Sequence, residues 1–447
     1  MTSFLKPAEQ KTYSSVNPRQ KLLTNSLVSH LIVNCGLPVS IVDDPGFRQF
    51  LYDIDPQFSV PCRQTVTYSI LPAMTENNQT KLQQLLKSTS DLALTTDIWT
   101  DRRQHAFLGV TVHMFDNGKP KSHLLAFKSF QGTHTGQRIA EALESVMTDN
   151  QIQSKVRWIV NDNASNMKKA MSVMFDDDLH RLDDSADPSL WEDDDSEDVS
   201  SVLSSAKRIP CFAHSLQLVV SDGLSSLTAI RPALEKCSKL ANLVHQSAVF
   251  RSVFEASLGQ GRSIPSTNDT RWNSTFHQLK AIIDLDQAKL NTVLSDANQT
   301  CLSLSKKELC QLQELVQILQ PFAEATDLTQ GDSMVTISCV VPVVLSLARS
   351  LRCATEEGSS LTAFVNNLTQ GLHDRFCGIF RKLNIALPAG VRTVNTGRDL
   401  SFDDDIYLMS SALDPTYAYH WLQDIPSTFE ERQATRHHID GKATSLL

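Results

Sequence analysis

No two cysteines in this sequence stand at C-x-x-C spacing, and the nine it has are odd in number and scattered. That excludes a disulfide scaffold and a finger-type zinc site, and it suits thiols kept reduced as small apolar groups. Long apolar runs are lacking too. The longest, Val340 to Leu347, is broken by Pro342 and falls short of the roughly 20 residues that cross a bilayer, so no membrane partner is expected. The first ten residues lack the apolar segment of a secretory signal. What is present, 41% hydrophobic and 20% charged residues in 447, excludes wholesale disorder and fits two to four domains, or one with a large insertion.

The sequence is also short of positive charge, with a formal net of -9. That balance argues against a nucleic-acid binder until its distribution is examined. Residues 176–198 hold twelve acids and one base. Without that segment the chain is close to neutral, so a local basic groove is compatible with the rest, although no basic run marks one.

Apolar residues recur at helical spacing from Lys21 to Asn34 and again from Thr65 to Leu86. The pattern then switches to strands: Leu92 to Trp99, Phe107 to Phe115 and Ser122 to Phe130, with a tight turn at Asp116-Asn117-Gly118. Thr135 can cap a helix running to Asp149. A short apolar strand, Val156 to Val160, precedes a helix beginning after Asn163, and a fifth strand at Arg208 to Cys211 leads into a helix from His214. Later periodicity is helical, with Leu227 to Val249, Asn273 to Leu294 and Lys306 to Ala325 as examples.

The expected organisation is α/β plus all-α. It has a flexible N-terminus (1–20), a helical region (21–88), and a mixed five-stranded core (89–222) carrying a disordered acidic loop (176–206). An all-α insertion (223–386), a return segment (387–424) and a disordered tail (425–447) follow. Three antiparallel strands and a helical crossover place the fourth strand parallel to the first and beside it. Asp97 then lies near the end of the first strand and Asp162 just past the end of the fourth, where open α/β sheets place ligands.

Seven segments in order resemble the hAT superfamily of DNA transposases, and within it the domesticated zinc-finger BED domain-containing proteins. They are Thr95-Thr96-Asp97-Ile98-Trp99-Thr100-Asp101, Leu108-Gly109-Val110-Thr111-Val112-His113, Asn161-Asp162-Asn163-Ala164-Ser165-Asn166-Met167, Cys211-Phe212-Ala213-His214-Ser215-Leu216-Gln217-Leu218, Thr270-Arg271-Trp272-Asn273-Ser274-Thr275, Pro321-Phe322-Ala323-Glu324-Ala325-Thr326 and Ala412-Leu413-Asp414-Pro415. The resemblance runs from about Pro38 to Tyr417. It implies an RNase H-like core interrupted by a large helical insertion, and strand cleavage and transfer by divalent metal held by two Asp and one Glu. In-line attack at phosphorus uses two hard cations about 3.5–4 Å apart, and hard cations take carboxylate oxygens.

By that resemblance Asp97 and Asp162 match the catalytic, metal-binding aspartates, for Mg2+ or Mn2+ held weakly. Their plainer roles are a strand end and a helix cap. Cys211 and His214 match a Cys-x-x-His beside the active site. One Cys and one His make half a zinc site, so no zinc is expected, and a buried thiol with a hydrogen-bonded imidazole is the simpler account. Trp272 matches a tryptophan implied to stack on a displaced base, with Arg271 beside it for phosphate. The alternative is that Trp272 packs in the helical core.

The family's third carboxylate stands in a Ser-Glu-Arg within a C-terminal dimerisation segment not found here, so a monomer is the expectation. Glu430-Glu431-Arg432 is the nearest substitute, and the family's BED finger is not found before Asp97. The expected function is therefore a domesticated nuclear protein that contacts DNA, with chromatin or transcription proteins as partners and a degenerate nuclease site. A fragment of an active transposase is the alternative.

Overall fold

The computed structural model of the chain describes residues 12–101, 103–130, 132, 135–162, 164–175, 206–267, 272–330, 335–388, 390–392, 401–425 and 428–444. The chain divides into two compact units, Met1–Ser90 and Asp91–Leu447. The N-terminal stretch 1–11, most of the acidic segment (176–205), Asn163 and Arg271 lie outside the described residues.

The first unit is helical. Helix α1 (Pro18–Ser26) starts three residues ahead of the predicted position, because the Asn17 side chain accepts the Arg19 amide and Pro18 fits the first helical turn. It continues as π-turns over Leu27–Asn34. Asp44 caps α2 (Pro45–Ile54), and α3 (Arg63–Thr65) runs through a π segment, Val66–Ile70, into α4 (Leu71–Ser88). Leu27, Val28, Ile32, Val42, Phe58 and Val66 form its core.

The second unit opens with β1 (Leu92–Thr100), β2 (Ala106–Asp116) and β3 (Lys119–Ser129). The β2–β3 turn has positive φ at both Asn117 and Gly118, the backbone that an Asn-Gly hairpin requires. Helix α5 (Gly136–Asp149), capped by Thr135 as expected, crosses to β4 (Val156–Asn161). Helix α6 (Ser165–Phe175), β5 (Lys207–Pro210) and α7 (Phe212–Ser225) follow. Sheet order is β3-β2-β1-β4-β5, with β1 parallel to β4 and β4 parallel to β5. This is the mixed five-stranded sheet the pattern predicted.

Two faces of the sheet differ. Lys128, paired with Leu108, reaches Ser145 and Asp149 of α5, so the face carrying Leu108 is the one α5 covers. On the opposite face Trp158 and Val160 of β4 and Ile209 of β5 join the core of the helical body.

That body contains α8 (Arg231–Gln246), α9 (Ala248–Leu258), α10 (Trp272–Ile283), α11 (Gln287–Asp296), α12 (Lys306–Thr329), α13 (Val340–Glu356), α14 (Thr362–Arg375) and α15 (Cys377–Lys382). The single helix expected over Asn273 to Leu294 is two, because the Asp286 side chain caps a new start by accepting from Ala288 and Lys289. The apolar stretch is also longer than predicted. Ile337–Glu356 is long and apolar enough to cross a membrane by length and composition. Pro342 sits in the first turn of α13, where no intrahelical donor is lost, and Val341, Val344, Leu347 and Leu351 are buried in the helical core.

The chain returns through α16 (Asp405–Leu413) and ends in α17 (Phe429–Thr444). The latter corrects the expectation of a disordered tail. Thr428 and Glu431 cap each other's amides, Ile439 is buried, and Lys442 pairs with Asp405. Only one buried residue in the helix explains why periodicity missed it.

Within this body His373 is buried, its ring stacked on Phe380 with centroids 4.0 Å apart and Nδ1 without a partner. Burial pushes its pKa down from 6.5 to about 4. Between those values the unfolded chain takes up a proton that the folded ring refuses. Stability should therefore be full above pH 6.5 and fall as pH drops toward 4. In His373→Phe the urea-unfolding free energy should lose roughly 1–3 kcal/mol of that pH dependence.

Candidate functional site

The β1–β4 ladder pairs Leu94 with Ile159 and Thr95 with Val160. Two residues further along each chain stand Asp97 and Asp162. Because the pairing is parallel, they lie at one level, Asp97 within β1 and Asp162 just past the end of β4. Alternation puts both on the face shared with Thr95 and Val160. Asp97 is exposed and Asp162 half-buried.

The Cys211 thiol registers both. Burial pushes its pKa up, the amides of His214 and Ala213 work against that, and the charges of Asp97 and Asp162 push it up further. Both carboxylates therefore lie near the start of α7. Cys211 holds that point by donating its amide to the carbonyl of Asn161 at 2.7 Å. His214 lies half-buried in the first turn of the helix. The thiol is kept protonated, which makes Cys211 a poor ligand or nucleophile.

Sequence reasoning missed Arg208. From β5 its Nε donates to Asn161 Oδ1 at 2.8 Å and its Nη2 to the Asp162 carbonyl at 2.9 Å. Burial lowers its pKa while the charge of Asp162 raises it. Tyr407 of α16 is buried, and its phenol is influenced by both Arg208 and Cys211. The guanidinium thus fixes the β4 end that carries Asp162 and places a cation beside it. The one available signal was an arginine within a four-residue strand. A second cost lies beneath: Thr96 Oγ1 and Asn161 Nδ2 are buried without partners.

Asp162 also acts locally, its Oδ1 accepting the Ala164 amide at 3.1 Å. The capping and ligand roles weighed for it are compatible, since the cap uses one of its two oxygens. Among the described residues no group of three or more His, Cys, Asp and Glu stands close enough to hold a metal ion. The donor set is two carboxylate residues, which suits one hard cation that keeps most of its waters. Glu431, the nearest candidate for a third, is taken up in the cap of α17.

Trp272 is not available to a base. It is 6% exposed, within the helical core, with its ring edge-on to Phe276. Packing, the alternative considered for it, is what the structure contains.

Arg208→Met should leave Asn161 Oδ1 and the Asp162 carbonyl without their charged donor. The expected loss is about 1.5–3 kcal/mol in urea denaturation. Arg208→Lys should restore little, because an ammonium cannot span both acceptors as a fork.

Comparison with known proteins agrees with this fold. The ZBED1 RNase-like domain matches residues 95–184, and the ZBED1 RNase-like helical domain matches residues 209–318. The chain is 25% identical to a protein of Talaromyces stipitatus named as a transcriptional regulator, over 82% of this chain and 44% of that protein. It is 23% identical to zinc finger BED domain-containing protein 4 of Homo sapiens, over 96% of this chain and 33% of that one. With a Zea mays protein named as an AC transposase it shares 25% identity over 66% of this chain and 35% of the other. The chain spans from a third to under half the length of these relatives. With an RNase H-like sheet, two aspartates level on its adjacent parallel strands and a helical domain following, these likenesses support a hAT-derived protein of the BED type.

Proposed function

We propose that this chain is a domesticated, hAT-derived nuclear protein that contacts DNA in the regulation of transcription, using its RNase H-like body as a scaffold rather than as a working nuclease. The observation that carries this reading is the acid pair at the sheet edge. Asp97 and Asp162 lie level on adjacent parallel strands, no third acid joins them among the described residues, and the half-buried Arg208 guanidinium donates to the Asp162 carbonyl. Two carboxylates partly offset by a guanidinium hold a divalent ion weakly. Strand transfer calls for two well-held ions around the phosphate. The name of the Talaromyces stipitatus relative supports the regulatory role. Chromatin or transcription proteins are the partners proposed with it.

Should an ion bind, Asp97 and Asp162 would hold it, and it would supply charge neutralisation at a phosphate. This chain's own residues orient that site: Arg208 and Cys211 lock the end of β4 and the start of α7. A second reading, a portion of an active transposase, is favoured by the mutual placement of the same two aspartates and by the maize relative.

Mn2+ calorimetry should show weak binding that Asp97→Ala abolishes. Identical traces for the two proteins would remove the metal site. Duplex DNA should bind with an affinity that falls as salt rises, and a hairpin substrate should stay uncut. Cleavage abolished by Asp162→Ala would establish the second reading instead. Deleting 176–198, which removes twelve acids, should tighten DNA binding at low salt through lost repulsion.

A further inference from the structure

The sheet face opposite α5 is covered by the helical body at β4 and β5, but at β1 to β3 it is open and aromatic. Trp99 is 41% exposed, Phe127 56% and Leu124 62%. The Phe107 and Phe127 rings are stacked, 5.2 Å apart and 13° from parallel. Trp99 lies 5.7 Å from Phe127 and 6.1 Å from Phe107. The platform depends on Gly109, since a Cβ there would stand 2.9 Å from the Trp99 ring. Gly109 pairs with Asp97 on one side and with Phe127 on the other. One row across three strands therefore runs from the carboxylate, under the indole, to the phenyl ring.

We infer that this platform stacks the bases of single-stranded or locally unpaired DNA beside the Asp97 site. Exposed aromatic rings offer a stacking contact to every nucleobase, whereas a closed duplex presents no base faces. Neighbouring groups discriminate against a protein occupant. Asp97 is on the same face, and so is a polar chain in which the His113 ring bridges Thr95 Oγ1 at 3.0 Å and Ser122 Oγ at 2.8 Å. A protein interface would bury these, against the depletion of charge in interface cores. A strand of nucleic acid would stack on the rings and leave the polar groups wet. Arg103, exposed on the turn that joins β1 to β2, stands at the Trp99 end to meet a phosphate. With Trp272 buried in the helical core, the aromatic contact to a base moves to this face.

The inference rests on the proposed contact with DNA, and the test separates the two. The purified chain is titrated in EDTA with a labelled 12-nucleotide oligodeoxythymidine, an abasic oligomer of the same length and a 20-base-pair duplex. Stacking should make the base-bearing strand bind at least about fivefold tighter than the abasic one. Trp99→Ala/Phe127→Ala should erase that difference while duplex affinity stays. Trp99→Phe should retain most of it and so exclude misfolding as the cause, and Tyr68→Ala, at an exposed aromatic of the other unit, should change nothing. Equal binding of the two single strands, with the duplex still bound, would overturn the platform and leave the proposed function standing. Absence of all binding would overturn both. A dimer in light scattering that the double substitution dissociates, with single-strand binding unchanged, would assign the face to a second copy and overturn the inference.

Discussion

The parallel pairing of β1 with β4 is the constraint on which the rest depends. These strands are separated in sequence by a hairpin, an edge strand and α5, yet their register places Asp97 and Asp162 level at their ends. A slip of one residue in either strand would turn one carboxylate to the α5 side of the sheet. The register is held by opposite burial on the two faces, Leu92 and Leu94 under α5 and Trp158 and Val160 against the helical body. Arg208 then ties β5 to the last residues of β4, so the strand carrying Asp162 is fixed from both flanks.

Much of this was legible in the sequence, for identifiable reasons. Period-two alternation in Phe107 to Phe115 and the Asn117-Gly118 turn specify a hairpin that the structure contains, its second strand starting three residues earlier than expected, at Lys119. Thr135 signalled the start of α5. The place of β4 beside and parallel to β1 followed from the helical crossover between them. Where the expectations failed, local signals were overridden. Asp286 divides one periodic stretch into two helices by capping, and α17 has one buried residue, too few for a pattern.

The site was half legible. Its two aspartates were found by topology together with family likeness. Arg208 was not, because a charged residue in a strand reads as solvent-facing until β5 is known to lie against Asn161. Trp272 went the other way: a residue type suited to bases turned out to fill the core, where its burial and its edge-on contact with Phe276 account for it. The open rings of β1 to β3 read in sequence as ordinary strand apolar positions. Only their exposure in the folded chain marks Trp99, Phe127 and Leu124 as open.

The contact between Lys207 and Asp404, the residue that caps α16, joins residues 197 positions apart. At about 5–20 residues per second, a ribosome needs roughly 10–40 seconds to make the intervening chain. For that interval the nascent sheet holds Lys207 without the carboxylate that the start of α16 later brings to it. The helical insertion therefore sets a delay between forming the sheet and closing it, during which the unfinished edge is open to chaperones.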